Sequence, residues 1–173
     1  MNIEIKSKRI CLRPFKSLDP SNEYLNWMND KNISKFIIKS NKNKKKDIRV
    51  FLASMKSHKD FFFKIIYNKN SKHIGNLRIG PLNFNNLSSK FGIMIGNKKY
   101  HGVGIGKEAT KLAESFIFNF LNFKKMEFEC IIDNIAAMQV YRSLDFIEKK
   151  IKKKVIINGE KFDQVLFYKY NKS

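Results

Sequence analysis

Cysteine, histidine, proline and acidic residues are all scarce in this chain of 173 residues. Its two cysteines, Cys11 and Cys130, lie far apart and share no metal-type spacing with the three histidines. Neither a disulfide framework nor a metal site is expected, and reduced, buried thiols are the default reading. No apolar run approaches the length that spans a bilayer, since the longest patch, Phe116 to Leu121, is broken by Asn119. Met1 to Ile10 is charged and has no signal-type apolar segment, so a cytoplasmic location is expected. Only 15 Asp and Glu stand against 35 Lys and Arg, a formal net charge of +20. Such a field attracts anions, and nucleic acid, an anionic membrane and phosphate-bearing small molecules all qualify. Lys, Asn, Ile and Phe are abundant together, as in chains encoded by AT-rich DNA, so composition competes with function as the source of the charge.

What is present is enough for one compact domain, because 43% of the residues are hydrophobic and 13% aromatic. Arg9 to Phe15, RICLRPF, reads as a strand ending at Pro14. Asp19 can cap a helix that has Pro20 at its first position and runs towards Met28. Ile48, Phe51, Leu52 and Met55 give Asp47 to Lys56 one apolar helical face. Phe61 to Tyr67 and His73 to Ile79 form a hairpin, and Phe91 to Ile95 extends the sheet after a loop from Pro81 to Ser89. A helix over Lys107 to Leu121, a strand over Lys125 to Ile132 and a helix over Asn134 to Leu144 follow. Strands at Phe146 to Lys152 and Gln164 to Tyr170, turned at Asn158-Gly159, complete an α/β or α+β order. The lysine runs Lys42 to Lys46 and Lys149 to Lys154 read as solvated charge.

The most informative stretch is FGIMIGNKKYHGVGIGKEA, in which a strand enters a glycine loop and the loop enters a helix. Gly102, Gly104 and Gly106 leave the backbone open to close approach. The N–H groups of Val103 to Lys107 then converge at a free helix N-terminus, which suits a pyrophosphate. A Walker loop is excluded, because its Gly-Lys-Ser/Thr ending is absent. A dinucleotide fold has an acidic candidate in Glu127 or Glu129, but the preceding antiparallel hairpin argues against it.

This segment resembles the acetyl-CoA loop of the GNAT superfamily, whose pattern of Arg or Gln, two residues, Gly, one residue, Gly or Ala falls on His101, Gly104 and Gly106. His101 departs from the pattern at its first position. DNIAAMQVYRSLDF resembles the family's second block, with Asn134, Ala137, Tyr141 and Phe146 matching and Asp145 standing where glycine is usual. RICLRPF, YLNWMND, HIGNLRIGP and FGIMIG are similar to the Rim-type branch. The resemblance implies a single GNAT-type domain over residues 1–173, with a mixed, mostly antiparallel central sheet flanked by helices.

It also implies an N-acetyltransferase that uses acetyl-CoA as co-substrate and needs no metal. The cofactor would lie on Ile93, Met94, Ile95, His101, Gly102, Val103, Gly104, Ile105, Gly106, Lys107, Asn134, Ala137, Tyr141 and Arg142. Tyr141 would donate a proton to the sulfur, with Asn134 beside it. The acceptor would meet Trp27, Asn29, Asp30, Phe36, Asn76 and Arg78. Asp30, Glu23, His73 or a water chain are candidates for the base, which stays unassigned. The expected acceptor is a small-molecule amine, a nucleotide-linked amino sugar first and a protein N-terminus second, on a monomer or homodimer with no nucleic-acid or membrane partner. A nucleic-acid-binding module is the rival from another class, but the lysines are scattered and most aromatics fall at apolar periodic positions.

Overall fold

Runs of Ile, Phe, Leu and Val build one eight-stranded sheet in the computed structural model, which describes residues 3–15, 20–37, 45–57, 60–157 and 159–172. The elements are β1 (Ile5–Lys6), β2 (Ile10–Pro14), α1 (Asn22–Asn29), α2 (Lys31–Ser34), α3 (Lys45–Ser57), β3 (Phe61–Tyr67), β4 (Lys72–Asn83) and β5 (Ser88–Ile95). A 3₁₀ turn at Lys98–Tyr100 leads to α4 (Ile105–Ser115), then β6 (Lys125–Ile131), α5 (Ile135–Arg142), β7 (Ile147–Ile157) and β8 (Glu160–Tyr170). The spatial order is β1-β2-β3-β4-β5-β6-β8-β7. Every neighbouring pair is antiparallel except β5 with β6.

Helices cover both faces, because the strands bury apolar residues on each side. Ile105, Ala109, Ala113, Phe116 and Ile117, from α4 and the turn after it, join Ile10, Phe63, Ile65, Leu77 and Phe91 of the strands in the main core. On the other face, Tyr24 and Trp27 of α1 pack with Ile48 and Leu52 of α3. The spacing of apolar residues in α3 is the one that turns a single face inward.

Several boundaries differ from expectation for identifiable reasons. Asp19 lies outside the described residues, and the observed cap of α1 is Ser21, whose hydroxyl accepts from the Tyr24 N–H. The anticipated loop Pro81 to Ser89 shrinks to a turn at 84–87, since Leu82 and Asn83 still pair with Ser89 and Ser88. The helix expected to reach Leu121 stops being α-helical at Ser115 and closes with a π turn over Phe116–Phe120, where the Leu121 N–H reaches back to the Phe116 carbonyl. Strand β1 and the single-turn α2 are too short to leave a periodic signal. Asn158 lies outside the described residues, while Gly159 has φ +86°. No helix among the described residues is long and apolar enough to cross a membrane.

Candidate active site

Two parallel strands that begin paired and then separate create a cleft. β5 and β6 are in register only from Ser88↔Lys125 to Lys90↔Glu127, although β5 continues to Ile95 and β6 to Ile131. Beyond Lys90 the β6-facing edge of β5 has no strand partner among the described residues. The gap opens into a cleft of about 490 Å³, lined by Gly92, Ile93 and Met94 of β5 and by Phe128, Glu129 and Ile131 of β6. Tyr24, Phe36, Phe51 and Phe62 give the cleft an aromatic side, and Asn134, Ala137 and Tyr141 close another.

The glycine loop follows β5 through the 3₁₀ turn and is tied back to it. His101 Nε2 lies 2.7 Å from the Ile95 carbonyl oxygen, which can only accept, so this nitrogen carries the proton. Gly102 and Gly104 have φ +71° and +81°, a left-handed region that disfavours side chains. Gly104 is the N-cap of α4 and supplies no side-chain cap, so the N–H groups of the first helical turn are left to an external acceptor. Gly106 has an ordinary φ, and a Cβ there would meet nothing within 4 Å. The loop can therefore receive an anion at the positive end of the helix.

A clamp that the sequence did not reveal sets the shape of this loop. Arg9 donates through Nη1 to the Val103 carbonyl at 2.8 Å and through Nε to Glu108 Oε2 at 2.6 Å. Glu108 Oε1 accepts from the Ser7 hydroxyl at 2.6 Å and from the Arg9 N–H at 2.9 Å. Burial raises the Glu108 carboxyl, and the bonds from Ser7 and Arg9 more than offset it, so the group sits below its ordinary value. Arg9 was legible only as part of RICLRPF, and nothing in GKEA marks Glu108 as its partner, 99 positions away.

Tyr141 reaches the cleft from α5, with its ring 4.0 Å from Phe128 and 5.5 Å from Phe167 by centroid. Burial, helped by Cys130, pushes its phenol well above the ordinary value. Among the described residues no hydrogen-bond partner takes its hydroxyl. Asn134 is the N-cap of α5, its Oδ1 accepting from the Ala137 N–H at 3.3 Å, so it precedes the helix on which Tyr141 lies. Asp145 adopts φ +58°, a region that favours glycine and that Asp tolerates better than most residues. Arg142 is exposed and makes a two-pronged bond to Glu148 at 2.8 and 3.1 Å, outside the cleft lining. Lys107 lies on a separate groove with Lys111 and Lys169.

Of the anticipated acceptor residues, Asn76, Arg78 and Phe36 line the cleft, and Trp27, Asn29 and Asp30 do not. Trp27 is core: its ring is 5.0 Å from that of His73, and a Cβ on Gly96 would collide with it. Asn29 donates to the Leu25 carbonyl. Asp30 caps α2 and pairs with Lys98 at 2.6 Å, and that bond holds its carboxyl below the ordinary value. Glu23 is exposed and likewise depressed, first by its own backbone N–H at the helix start and then by Ser21. His73 is lowered mainly by burial, and its Nε2 faces the Gly75 carbonyl and Asn76 Oδ1, each at 2.9 Å. The acids that do line the cleft are Asp47 and Glu129. Glu129 is bonded to Lys153 at 2.6 Å and to Lys90 at 3.5 Å. Arg78 is held by two bonds to Asp60 Oδ2, at 2.6 and 3.1 Å, and the Asp60 side chain, which is fully buried, fits because Gly80 has no side chain.

Comparison with known proteins agrees with this architecture. The family model described as Acetyltransferase (GNAT) domain matches residues 9–147. Among curated proteins, none matches the chain. Of solved structures, a ribosomal-protein-S5-alanine acetyltransferase from Vibrio fischeri superposes with a TM-score of 0.81 at 20% identity, covering 99% of this chain and 98% of the other. A spermidine N-acetyltransferase from Vibrio cholerae, solved with CoA and spermine, gives 0.81 at 19% identity over 93% and 95%. A GNAT-family acetyltransferase from Bacillus anthracis gives 0.79 at 18% identity over 97% and 98%. At these identities the likeness is one of fold.

Proposed function

The chain belongs to the GNAT acetyltransferase domain family and is an acetyl-CoA N-acetyltransferase of that type, and we propose that its acceptor is the primary amine of a nucleotide-linked amino sugar. The observation that carries this reading is the cleft lining. Two neutral amides, Asn76 and Gln164, line the cleft with aromatic side chains and with Arg78, whose Nη1 has no partner among the described residues. Amides and aromatic rings suit a hydroxylated ring, and a guanidinium suits a phosphate.

The co-substrate supplies an activated thioester, and the chain's own groups do the rest. The uncapped N–H groups of Val103 to Lys107 receive the pyrophosphate. The unpartnered edge of β5 at Ile93 to Ile95 offers backbone groups to the amides of the pantetheine arm and an N–H to the thioester oxygen. Tyr141 holds a proton at its hydroxyl for the sulfur, and its raised pKa keeps that proton in place at neutral pH. Asn134 shapes this end of the cleft as the cap of α5. Neither cysteine is suited to carry an acetyl group, since burial pushes the Cys130 thiol up to about 11 and raises Cys11 as well. The amine attacks directly. Asp30, Glu23 and His73 lie outside the cleft lining, and the amine proton goes to solvent in the cleft or to a lining carboxylate, Asp47 or Glu129.

If Arg9 shapes the loop, Arg9→Met should weaken acetyl-CoA binding about five- to fifty-fold, as expected for losing charge-assisted bonds that act through the backbone. Acceptor KM should stay near wild type. Calorimetric titration of the folded variant checks this, and unchanged acetyl-CoA affinity would free the loop from the clamp.

Acceptor choice is tested by steady-state kinetics on a free amino sugar and on the same sugar carrying a nucleotide. The linked form should have kcat/KM about ten-fold or more higher, because its phosphates add binding remote from the reacting amine. Equal values would remove the nucleotide from the account. The fold shared with the ribosomal-protein alanine acetyltransferase makes a peptide N-terminus the second acceptor to include.

A further inference from the structure

The cleft contains two buried polar atoms that the transfer chemistry does not use. Asn76 on β4 is 4% exposed and Gln164 on β8 is 3% exposed, and both line the cleft. Asn76 Nδ2 and Gln164 Oε1 are each buried without a hydrogen-bond partner among the described residues. Native proteins leave few such atoms unpaired, and a site for a polar ligand is one reason they persist.

The orientation of Asn76 is set by its neighbour. His73 Nε2 faces the Gly75 carbonyl, so it carries the proton, and it offers that proton to Asn76 Oδ1 as well. The Asn76 amide nitrogen is left as an unpaired donor. Gln164 pairs with Ile131 at the end of β6, whereas Asn76 pairs with Met94 near the end of β5. The two amides therefore stand on opposite sides of the gap, each one strand away from it.

We propose that Gln164, with Asn76, forms an acceptor-recognition pair that reads hydroxyl groups beside the reacting amine. This rests on the amino-sugar reading above. A hydroxyl both donates and accepts, so a ring bearing several can give an oxygen to Asn76 Nδ2 and meet the Gln164 amide, which no partner among the described residues orients, as either donor or acceptor. A polyamine has no oxygen and leaves the Asn76 donor unpaired. A peptide N-terminus offers one carbonyl and one amide N–H, which gives the same polar pattern without hydroxyls. Gln164 carries no charge and occupies one position in the apolar stretch QVLFY, so sequence alone gives no reason to single it out.

The experiment is a kinetic cycle on the full chain. Wild type and Gln164→Leu are compared on the nucleotide-linked amino sugar and on analogues lacking the hydroxyl next to the amine-bearing carbon, with an alanine-ended peptide and spermidine as further arms. Acetyl-CoA affinity, measured by calorimetry, reports folding, and Gln164→Met is a near-isosteric replacement if the leucine variant fails that control. The expected result is a loss of kcat/KM of about ten- to a hundred-fold in Gln164→Leu on the full sugar. Wild type should lose a similar factor on one deoxy analogue, and the variant should lose nothing more on it. If the sugar is acetylated and the two changes simply multiply, or Gln164→Leu has no effect, the recognition pair is overturned while the amino-sugar reading stands. If no amino sugar is turned over and the peptide or spermidine is, the amino-sugar reading is overturned, and the hydroxyl assignment with it.

Discussion

Tyr141→Phe is expected to lower kcat by about ten- to a thousand-fold while acetyl-CoA affinity stays near wild type. The substitution removes one oxygen and keeps the ring that packs against Phe91, Phe128, Phe146 and Phe167. A purely structural tyrosine would lose almost nothing, because every ring contact survives. A proton donor loses the group that neutralises the departing thiolate. The effect should be confined to kcat under saturating acceptor, with chemistry shown to limit the rate. Full kcat in a stable Tyr141→Phe protein would move the proton source elsewhere in the cleft.

Gly106→Val is expected to weaken acetyl-CoA binding by about a hundred-fold or more. Obstruction of the first turn of α4 displaces hydrogen bonds to a charged pyrophosphate, each worth roughly 1.5–3 kcal/mol, and two of them suffice. Gly106 is a cleaner probe than Gly104. Its φ is ordinary and a Cβ there meets nothing within 4 Å, so a side chain can start from it without backbone strain. At Gly104, φ +81° adds backbone strain that confuses binding with folding. Gly106→Ala should give a smaller loss in the same direction. Calorimetry on folded Gly106→Val with undiminished affinity would remove the loop from cofactor binding.

The sequence made the central elements legible because their signals are local. The strand, glycine loop and helix from Phe91 to Lys107 are contiguous, and α3 and β6 announce themselves by apolar spacing. The block from Asn134 to Phe146 was found through its likeness to a family pattern. Asn134 and Tyr141 both reach the cleft, although Asn134 does so as a cap and not as a member of the helix.

What the sequence leaves hidden depends on pairing between distant segments. Arg9 meets Glu108, and Asp60 meets Arg78, only after the sheet has formed. The same holds for the separation of β5 from β6, which no composition or period encodes. On the acceptor side the early residues were hardest to place. YLNWMND contributes Tyr24 and Met28 to the cleft, one helical turn apart on one face, while Trp27 turns to the core against His73 and Gly96. Gln164 carries no signal in the sequence, because an isolated amide in a strand gains one only from the neighbours the fold gives it.

Direct transfer from acetyl-CoA to an amine is tested most directly by one assay. The protein is incubated with acetyl-CoA and, in turn, with nucleotide-linked and free amino sugars, an alanine-ended peptide and spermidine, while free CoA thiol and N-acetylated product are measured together. The account predicts amine-dependent thiol release, one thiol for each N-acetyl group formed, fastest with the nucleotide-linked sugar and with no acetyl group on Cys130 or Cys11. Thiol release that does not depend on the amine, or an acetyl group recovered on the protein in place of the acceptor, would contradict it.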